Sequence, residues 1–166
     1  MRALVTGAGK RLGRAMALYL ARRGYDVAVH YAHSHDEAEA VVAEIAAMGR
    51  RAVALDADLC REDEVEALVG RAAAGLGGPL TVLVNNASIF EHDTIRTATR
   101  ASWDRHMESN LRAPYVLTQG FAAQVPAATC SSTASTSPAR AASAIASSAS
   151  VTPANADTTV TTRDGR

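Results

Sequence analysis

The chain has 166 residues, 17 basic and 17 acidic side chains, and no formal net charge at pH 7. Hydrophobic residues make up 48% of it, which is enough for a core and excludes a wholly disordered chain. The neutral balance argues against a nucleic-acid or anionic-membrane partner, because both require a basic face. No apolar run is long enough to cross a bilayer, and the first residues leave no room for a signal peptide. The two cysteines form no CxxC motif, so we expect a reducing, cytoplasmic setting.

Composition divides the sequence near residue 126. Residues 127–166 are dominated by Ala, Ser and Thr and contain no Leu, Met, Phe, Tyr or Trp. Such a segment cannot bury enough apolar surface to offset a backbone entropy cost of about 1–2 kcal/mol per residue. We therefore predict a folded domain over 1–126 and a disordered low-complexity tail over 127–166. Codons for Ala, Thr, Pro and most Ser share a middle C, so the tail is either genuine low-complexity sequence or an out-of-frame reading of GC-rich DNA.

Residues 1–126 alternate short apolar runs with segments of helical periodicity. The runs predict strands at 2–6, 26–31, 52–55 and 80–84. Ser34 and Glu37 predict a capping box for the second helix, and Pro114 predicts strain in the fourth. Each helix has a predicted buried stripe of apolar residues. In the first helix it is Leu12, Ala15, Met16, Tyr19 and Leu20, and in the second it is Ala38, Val41, Val42, Ile45 and Met48. In the third helix it is Val65, Leu68, Val69 and Ala72, and in the fourth it is Trp103, Met107, Leu111, Leu117 and Phe121. This alternation predicts an α/β fold with a parallel sheet.

A glycine-rich turn connects the first strand to the first helix and reads Thr6-Gly7-Ala8-Gly9-Lys10-Arg11-Leu12-Gly13. Small residues there allow a tight turn and a close approach of the backbone to a pyrophosphate. The N-terminus of the following helix supplies N–H groups and positive potential. The strand before the turn and the helix after it are the context that a dinucleotide-binding motif requires.

These motifs resemble the short-chain dehydrogenase/reductase family, and in particular its pteridine-reductase-like members. Thr6, Gly7 and Gly13 match the opening Thr-Gly-x-x-x-Gly-x-Gly signature, with Arg11 in place of the middle glycine. The resemblance covers residues 1 to about 126. Three further matches follow at family spacing: Asp58-Leu59 at the adenine position, Asn85-Asn86-Ala87-Ser88 at the Asn-Asn-Ala-Gly motif, and Asn110 at the helix position that holds the proton-relay water.

The resemblance implies a Rossmann-type, doubly wound parallel sheet of strand order 3-2-1-4, truncated after the fourth strand and fourth helix. The fourth strand is then an apolar edge, which is an aggregation risk. The family's homo-oligomer interface would be incomplete, and the stripe through Trp103, Met107 and Phe121 would be partly exposed. We expect a marginally stable or aggregating protein.

Charge at the end of the second strand bears on the choice of nucleotide. Proteins that bind NAD usually place a carboxylate there, but this region reads Val29-His30-Tyr31-Ala32-His33-Ser34. A 2′-phosphate is therefore tolerated, and Lys10 and Arg11 in the adjacent loop can pair with it. We favour NADP(H) over NAD(H), with His33 and Ser34 in the binding set. The nearby histidines lack a carboxylate or thiolate to complete a metal site, and no metal is predicted.

The family's catalytic Ser, Tyr and Lys have no counterpart here. A phenol with a pKa near 10 needs a nearby cation to transfer protons at neutral pH, and the family supplies a Lys four residues after the Tyr. Lys10 is the only lysine in the sequence. The residues four positions after the four tyrosines are Arg23, Val29, His35 and Gln119. Of the family's catalytic set, only Asn110 is present.

Two functions remain open from the sequence. One is an NADP(H)-dependent oxidoreductase of a carbonyl or pteridine-like substrate by resemblance, catalytically incompetent in this form. The other is a non-catalytic nucleotide-binding fragment or pseudoenzyme. The substrate cannot be inferred, because the segment that shapes its pocket in the family has no counterpart in the sequence.

Overall fold

A computed structural model describes residues 1–124 of the chain. Its sheet has four parallel strands in the order β3-β2-β1-β4, which confirms the predicted α/β fold and strand order. Val5 of β1 pairs with Val29 of β2 and Val84 of β4, so β1 and β4 end at the same level and β2 continues two residues further. The strands are β1 (Arg2–Val5), β2 (Asp26–Tyr31), β3 (Ala52–Asp56) and β4 (Val82–Val84). The tail predicted for 127–166 lies outside the described residues.

Helices cover both faces of this sheet. They are α1 (Arg11–Arg22), α2 (His35–Ala47), α3 (Glu62–Leu76), α4 (Arg100–Met107) and α5 (Ala113–Ala123), with a π-helical segment at Glu108–Arg112 between the last two. On one face, Val5, Val27 and Val29 of the strands pack against α1 and α2. On the other face, Leu4 and Ala28 pack against α3 and α5. Two apolar layers therefore fix the sheet from both sides, as the continuous apolar strands require.

The buried face of α1 differs from the prediction. The structure buries Gly13, Ala17, Leu18 and Ala21, whereas Leu12 is 63% exposed and Tyr19 is 53% exposed. The predicted stripe followed helical spacing from Leu12. The sheet instead takes the neighbouring face that contains Leu18, and Met16 and Leu20 pack at its margin. The predicted stripe was therefore wrong for Leu12, Ala15 and Tyr19, which are exposed. The third helix buries its predicted stripe and also Leu76. Of the stripe predicted for the second helix, Val42 is half-buried and Met48, the C-cap residue, is 37% exposed.

The predicted capping box at Ser34 and Glu37 is not formed. Ser34 lies at the N-cap of α2, but its side chain makes no capping hydrogen bond. The Glu37 carboxylate pairs instead with Lys10, with Nζ 2.7 Å from Oε1. A capping box does occur at α4, where Thr99 and Ser102 exchange side-chain and backbone hydrogen bonds. Serine in place of the usual Glu or Gln concealed it in the sequence.

The predicted fourth helix is interrupted. Its first part, α4, ends at Met107, and the Ala113 N–H bonds the Glu108 carbonyl five residues back, which makes the intervening turn π-helical. Pro114 follows and has no N–H to donate to the Asn110 carbonyl, so a regular α-helical ladder cannot run through this point. The apolar stripe is split as a result: Leu117 is fully buried and Phe121 packs on the core, whereas Trp103 is 61% exposed.

Within the described residues, β4 pairs with β1 alone, so its other edge has no strand beside it. A second finding concerns membranes: over residues 1–124, the helices are too short or too polar to span a bilayer.

The corrected face of α1 predicts a contrast between two leucines of the same helix. Leu18→Ala removes a side chain that is only 5% exposed, and we expect the free energy of unfolding to fall by about 2–4 kcal/mol. Leu12→Ala removes an exposed side chain and is expected to change it by less than about 0.5 kcal/mol. Urea denaturation of the two variants measures both. Equal losses would show that the originally predicted stripe is the packed one.

Candidate functional site

The turn after β1 is closed by two glycines that touch. Gly7 has a φ of +63°, which favours glycine. A Cβ at Gly13 would overlap the Gly7 carbonyl oxygen and approach the Asn86 side-chain nitrogen to 2.6 Å. Gly9 is less demanding, since a Cβ there would meet Ser34 at 3.3 Å. The turn therefore brings the start of α1 directly against the carboxyl end of β1.

The N-terminus of α1 is open to an anion. Lys10 is its N-cap residue and makes no side-chain capping bond, and the first turn contains no acidic residue. By contrast, α2 begins with Asp36 and Glu37, and α3 carries three carboxylates in its first turn. Free N–H groups and the helix dipole attract negative charge, and carboxylates already occupy the equivalent ends of α2 and α3. Of these three helices, α1 alone keeps this end available.

Arg11 occupies a strained position at this helix end. Its φ is +50°, the left-handed region, and it is the sole non-glycine residue there among residues 1–124. Such a conformation costs about 1–2 kcal/mol for an L-residue. The backbone therefore explains why the family signature has glycine at this position. An arginine that is kept there despite the strain places a guanidinium at the mouth of the turn.

Thr6 and Asn86 connect this turn to the loop after β4. The Thr6 hydroxyl oxygen accepts hydrogen bonds from the Asn86 and Ala87 N–H groups, both at 3.0 Å. The Asn86 side-chain amide donates to the Thr6 carbonyl at 2.9 Å and to the Gly7 carbonyl at 3.3 Å. These bonds hold the glycine turn and the Asn85-Asn86-Ala87-Ser88 segment against each other.

A cleft with a volume of about 530 Å³ opens at the carboxyl ends of the strands, between these two loops and the loop after β3. This is where ligands bind in open parallel α/β sheets. Eleven of the predicted cofactor-binding residues line it: Gly7, Lys10, Arg11, Leu12, Gly13, His33, Asp58, Leu59, Asn86, Ala87 and Ser88. Four others, Thr6, Gly9, Ser34 and Asn85, are not in its wall. Thr6 acts from behind the turn, and Asn85 contacts Thr118 of α5.

Sequence reasoning missed five lining residues: His30, Ala32, Cys60, Ile89 and Ser109. His30 had a signal, because it is the one polar side chain inside an otherwise apolar strand. Cys60 had none. Burial raises the pKa of its thiol, and the neighbouring Asp58 carboxylate adds to the effect, so Cys60 contributes a neutral wall rather than a nucleophile.

The rim of the cleft near α1 is cationic. Lys10 is held by Glu37, and the hydrogen bond from Lys10 lowers the pKa of that carboxyl. Arg11 makes no ion pair with any carboxylate of the described segment and is exposed. His33, one residue past Ala32, also lines the cleft. In the loop after β3, the Asp58 carboxylate accepts a hydrogen bond from the Cys60 N–H at 2.9 Å, which fixes that loop.

Asn110 lies in the π-helical segment and acts on the wall of the cleft. Its Nδ2 donates to the Ile89 carbonyl and its Oδ1 accepts from the Ile89 N–H, both at 2.9 Å. Ile89 and Ser109 line the cleft, whereas Asn110 itself does not. The side chain predicted for the proton-relay position thus pairs with the backbone of the β4 loop. Within residues 1–124, no cluster of three His, Cys, Asp or Glu side chains could hold a metal ion.

The contact between the two glycines predicts a specific sensitivity. We expect Gly13→Ala to cost about 3 kcal/mol or more of unfolding free energy, because the new methyl group meets backbone that cannot move away. Gly70→Ala is the matched control: it lies in α3 with open space around it, and removing a helical glycine should stabilise by about 0.5–1 kcal/mol. Thermal unfolding measures both. An undisturbed Gly13→Ala variant would show that the turn is looser than described.

Comparison with known proteins places this site in a family context. The family model "short chain dehydrogenase" matches residues 1–150, past residue 126 where the recognised motifs end. The 3-oxoacyl-[acyl-carrier-protein] reductase FabG of Staphylococcus epidermidis is 43% identical over 110 residues, which are 66% of this chain and 45% of that protein. The corresponding reductase of Synechocystis is 38% identical over 117 residues, 70% of this chain and 47% of that protein. The chain spans about half the length of these curated relatives.

Solved structures agree with the fold and the family. A short chain dehydrogenase from Burkholderia cenocepacia in complex with NADP superposes with a TM-score of 0.72 at 42% identity, over 74% of this chain and 50% of that one. The FolM alternative dihydrofolate reductase 1 from Brucella suis, also in complex with NADP, superposes with a TM-score of 0.72 at 37% identity. The match covers 76% of this chain and 52% of that one. Together with the glycine turn and the Asn-Asn-Ala-Ser loop, these matches show that the chain belongs to the short-chain dehydrogenase family.

Proposed function

We propose that this chain binds NADP(H) in the cleft at the end of β1, β2 and β3. The observation that carries the proposal is the start of α1: an uncapped helix end without carboxylates, closed by two glycines in contact. A dinucleotide diphosphate requires such a concentration of free N–H groups and positive potential. Two solved relatives that align over this region are NADP complexes, which supports the same reading.

The preference for the phosphorylated cofactor rests on charge. Ala32 and His33 follow β2, where a carboxylate would bind a ribose 2′-hydroxyl and repel a phosphate. Arg11 and His33 line the cleft nearby, and Lys10 is within reach once it exchanges Glu37 for a phosphate. A guanidinium binds a phosphate with paired, charge-assisted hydrogen bonds. Asp58 and Leu59 would receive the adenine end, and Asn86 to Ser88 the nicotinamide end.

The chemistry that the cofactor supplies when bound is hydride transfer to or from a carbonyl carbon. The residues of this chain bind and orient it, but a proton must also reach the substrate oxygen. The family assigns that step to Tyr-x-x-x-Lys, which does not occur in the sequence. We therefore propose that these 166 residues bind the cofactor without turnover. They correspond to the dinucleotide-binding half of a reductase for a carbonyl or pteridine-like substrate, and the FolM relative favours the pteridine-like class.

A second candidate is a dinucleotide-binding pseudoenzyme. The contacts of three tyrosines favour it. Tyr19 stacks on the Arg23 guanidinium, the Tyr31 hydroxyl forms a hydrogen bond with His35, and the Tyr115 hydroxyl accepts one from Gln119. None of these partners is a lysine. Both candidates require cofactor binding, and they differ in whether further protein sequence restores catalysis.

Isothermal titration with NADPH and NADH tests binding and preference together. We expect NADPH to bind at least about tenfold more tightly than NADH, because one added charge-assisted contact is worth about 1.5–3 kcal/mol. Arg11→Gly removes that contact and relieves the backbone strain. It should therefore weaken the binding of NADPH about tenfold and leave the affinity for NADH unchanged. Arg14→Ala is the control, since Arg14 pairs with Glu44 outside the cleft. Equal affinity for both cofactors would contradict the assigned role of Arg11.

Absence of turnover is a separate expectation. Purified chain, NADPH and a panel of ketones, 3-oxoacyl thioesters and dihydropteridines should give no cofactor oxidation above the rate without protein, at any pH at which the chain is folded. The physical reason is that no lysine is available to assist a tyrosine in proton transfer. Steady-state oxidation that depends on substrate would overturn this part of the proposal and leave the binding part standing.

A further inference from the structure

His30 is a buried histidine in the wall of the cleft that the proposed function has not used. It lies near the carboxyl end of β2, between β3 and β1, and is 2% exposed. The Gly7 N–H donates to its Nδ1 at 3.0 Å, and its Nε2 lies 3.0 Å from the Ala57 carbonyl oxygen. Its own carbonyl accepts from the Ala8 N–H at 2.8 Å. One residue thus holds two successive N–H groups of the glycine turn and reaches the loop after β3.

These partners fix the protonation state of the ring. A backbone N–H can only donate, so Nδ1 must be an unprotonated acceptor towards Gly7. A carbonyl can only accept, so Nε2 must carry the hydrogen towards Ala57. The neutral ring satisfies both bonds. A proton added at Nδ1 would point at the Gly7 N–H, remove that hydrogen bond and place two donors against each other in a buried site.

We propose that His30 is the positioning residue of the dinucleotide site: its neutral ring holds the turn at Gly7 in the shape that receives a diphosphate, and protonation of the ring releases that turn. The proposal rests on the proposed function for its ligand, and on the geometry of His30 and Gly7 for its mechanism. His30 acts through Gly7 rather than on the ligand. It would make cofactor affinity fall as the pH drops through the pKa of the ring.

The charges around the ring act in opposite directions. Burial lowers the pKa of His30, the hydrogen bond to Ala57 raises it, Arg71 of α3 lowers it and Asp56 of β3 raises it. Arg71 and Asp56 pair with each other at 2.7 Å, so their effects on the ring largely cancel. A pKa below the ordinary value of about 6.5 means that the unfolded chain binds the proton more readily. The stability contributed by neutral His30 is thus complete above about pH 6.5 and is lost as the pH falls towards the lowered value.

Two substitutions separate the Gly7 bond from the titration. In His30→Asn the amide oxygen lies near the position of Nδ1 and can accept from Gly7, without titrating. In His30→Gln the amide lies nearer the position of Nε2 and can donate to Ala57, but it leaves the Gly7 N–H without an acceptor. His92→Asn is the control for the loss of a histidine elsewhere, because His92 lies in an exposed loop outside the cleft.

The affinity measurement uses NADH from about pH 8 down through the titration of the His30 ring, because NADH lacks the 2′-phosphate that itself titrates near pH 6. We expect wild type and His92→Asn to bind about tenfold more weakly once the ring is protonated. His30→Asn should bind within about threefold of wild type at pH 8 and show a flat profile. His30→Gln should also be flat but about tenfold weaker throughout. The proposal would be overturned if His30→Asn and His30→Gln weakened NADH binding equally. It would also be overturned if His30→Asn showed the same pH profile of affinity as wild type.

A measurement without cofactor separates this proposal from the previous one. In nitrogen-15 spectra of the wild-type chain, the His30 ring should be the Nε2–H tautomer at pH 8, and the Gly7 amide resonance should shift with the same midpoint as the ring. A Gly7 amide that is indifferent to the titration of His30 contradicts the proposal even if cofactor binds. Failure of both NADPH and NADH to bind at pH 8 contradicts the proposed function, and the coupling of Gly7 to His30 is then decided by the spectra alone.

Discussion

The peptide groups of Gly7 are where the elements around the cleft are fixed to one another. The Gly7 carbonyl accepts from Asn86 in the loop after β4, and the backbone of Gly13 in α1 lies directly against it. The Gly7 N–H is held by His30 of β2. A single residue with positive φ thus connects the ends of three strands and the first turn of α1. Positions 7 and 13 can have no side chain, because these contacts leave no room for one. Positions 86 and 30 need a side chain that forms a hydrogen bond. The cleft has its shape because these requirements are met together.

The positive charge at the cleft is local, and the overall composition of the chain does not reveal it. The chain has no net charge, yet its helices treat their N-termini differently. Carboxylates neutralise the starts of α2 and α3, while α1 begins at an uncapped lysine followed by an arginine. His30 behind the turn is neutral, so it adds a hydrogen-bond acceptor without adding a charge. Of these three helices, α1 alone combines basic side chains with free N–H groups at its start, at the mouth of the glycine turn. An anion gains from all of these at one place and from none of them elsewhere on these helices.

The strand order and most of the cleft wall were predicted through the resemblance to the family, whereas the strands and the glycine turn themselves depend on short-range signals. Apolar runs such as 26–31 specify buried parallel strands, and the glycines at 7 and 13 specify the turn. Errors arose where tertiary contacts decide. The face of α1 was assigned by helical spacing from Leu12, whereas proximity to the sheet selected the Gly13 and Ala17 face. Glu37 was assigned to a capping box, but Lys10, distant in sequence, lies close enough to take it. The π-helical turn before Pro114 depends on which hydrogen bonds remain once the proline removes one, and no periodicity reports that.

The proposed cofactor binding and the family's proton transfer make separate demands on the chain, and the position of the cleft residues bears on both. Every residue in the wall lies between Gly7 and Ser109, on strand ends, loops, the first turn of α1 and the π-helical segment. Its two apolar layers are made by the same segment, so the scaffold and the binding site are encoded together. Proton transfer is a different requirement, because a tyrosine needs a cation beside it, and the one lysine is already at the glycine turn in contact with Glu37. Moving that lysine to a tyrosine would remove positive charge from the glycine-turn end of the cleft. In the proposed function, binding therefore depends on residues 7–109, whereas the family's proton-transfer pair, Tyr-x-x-x-Lys, does not occur in the sequence.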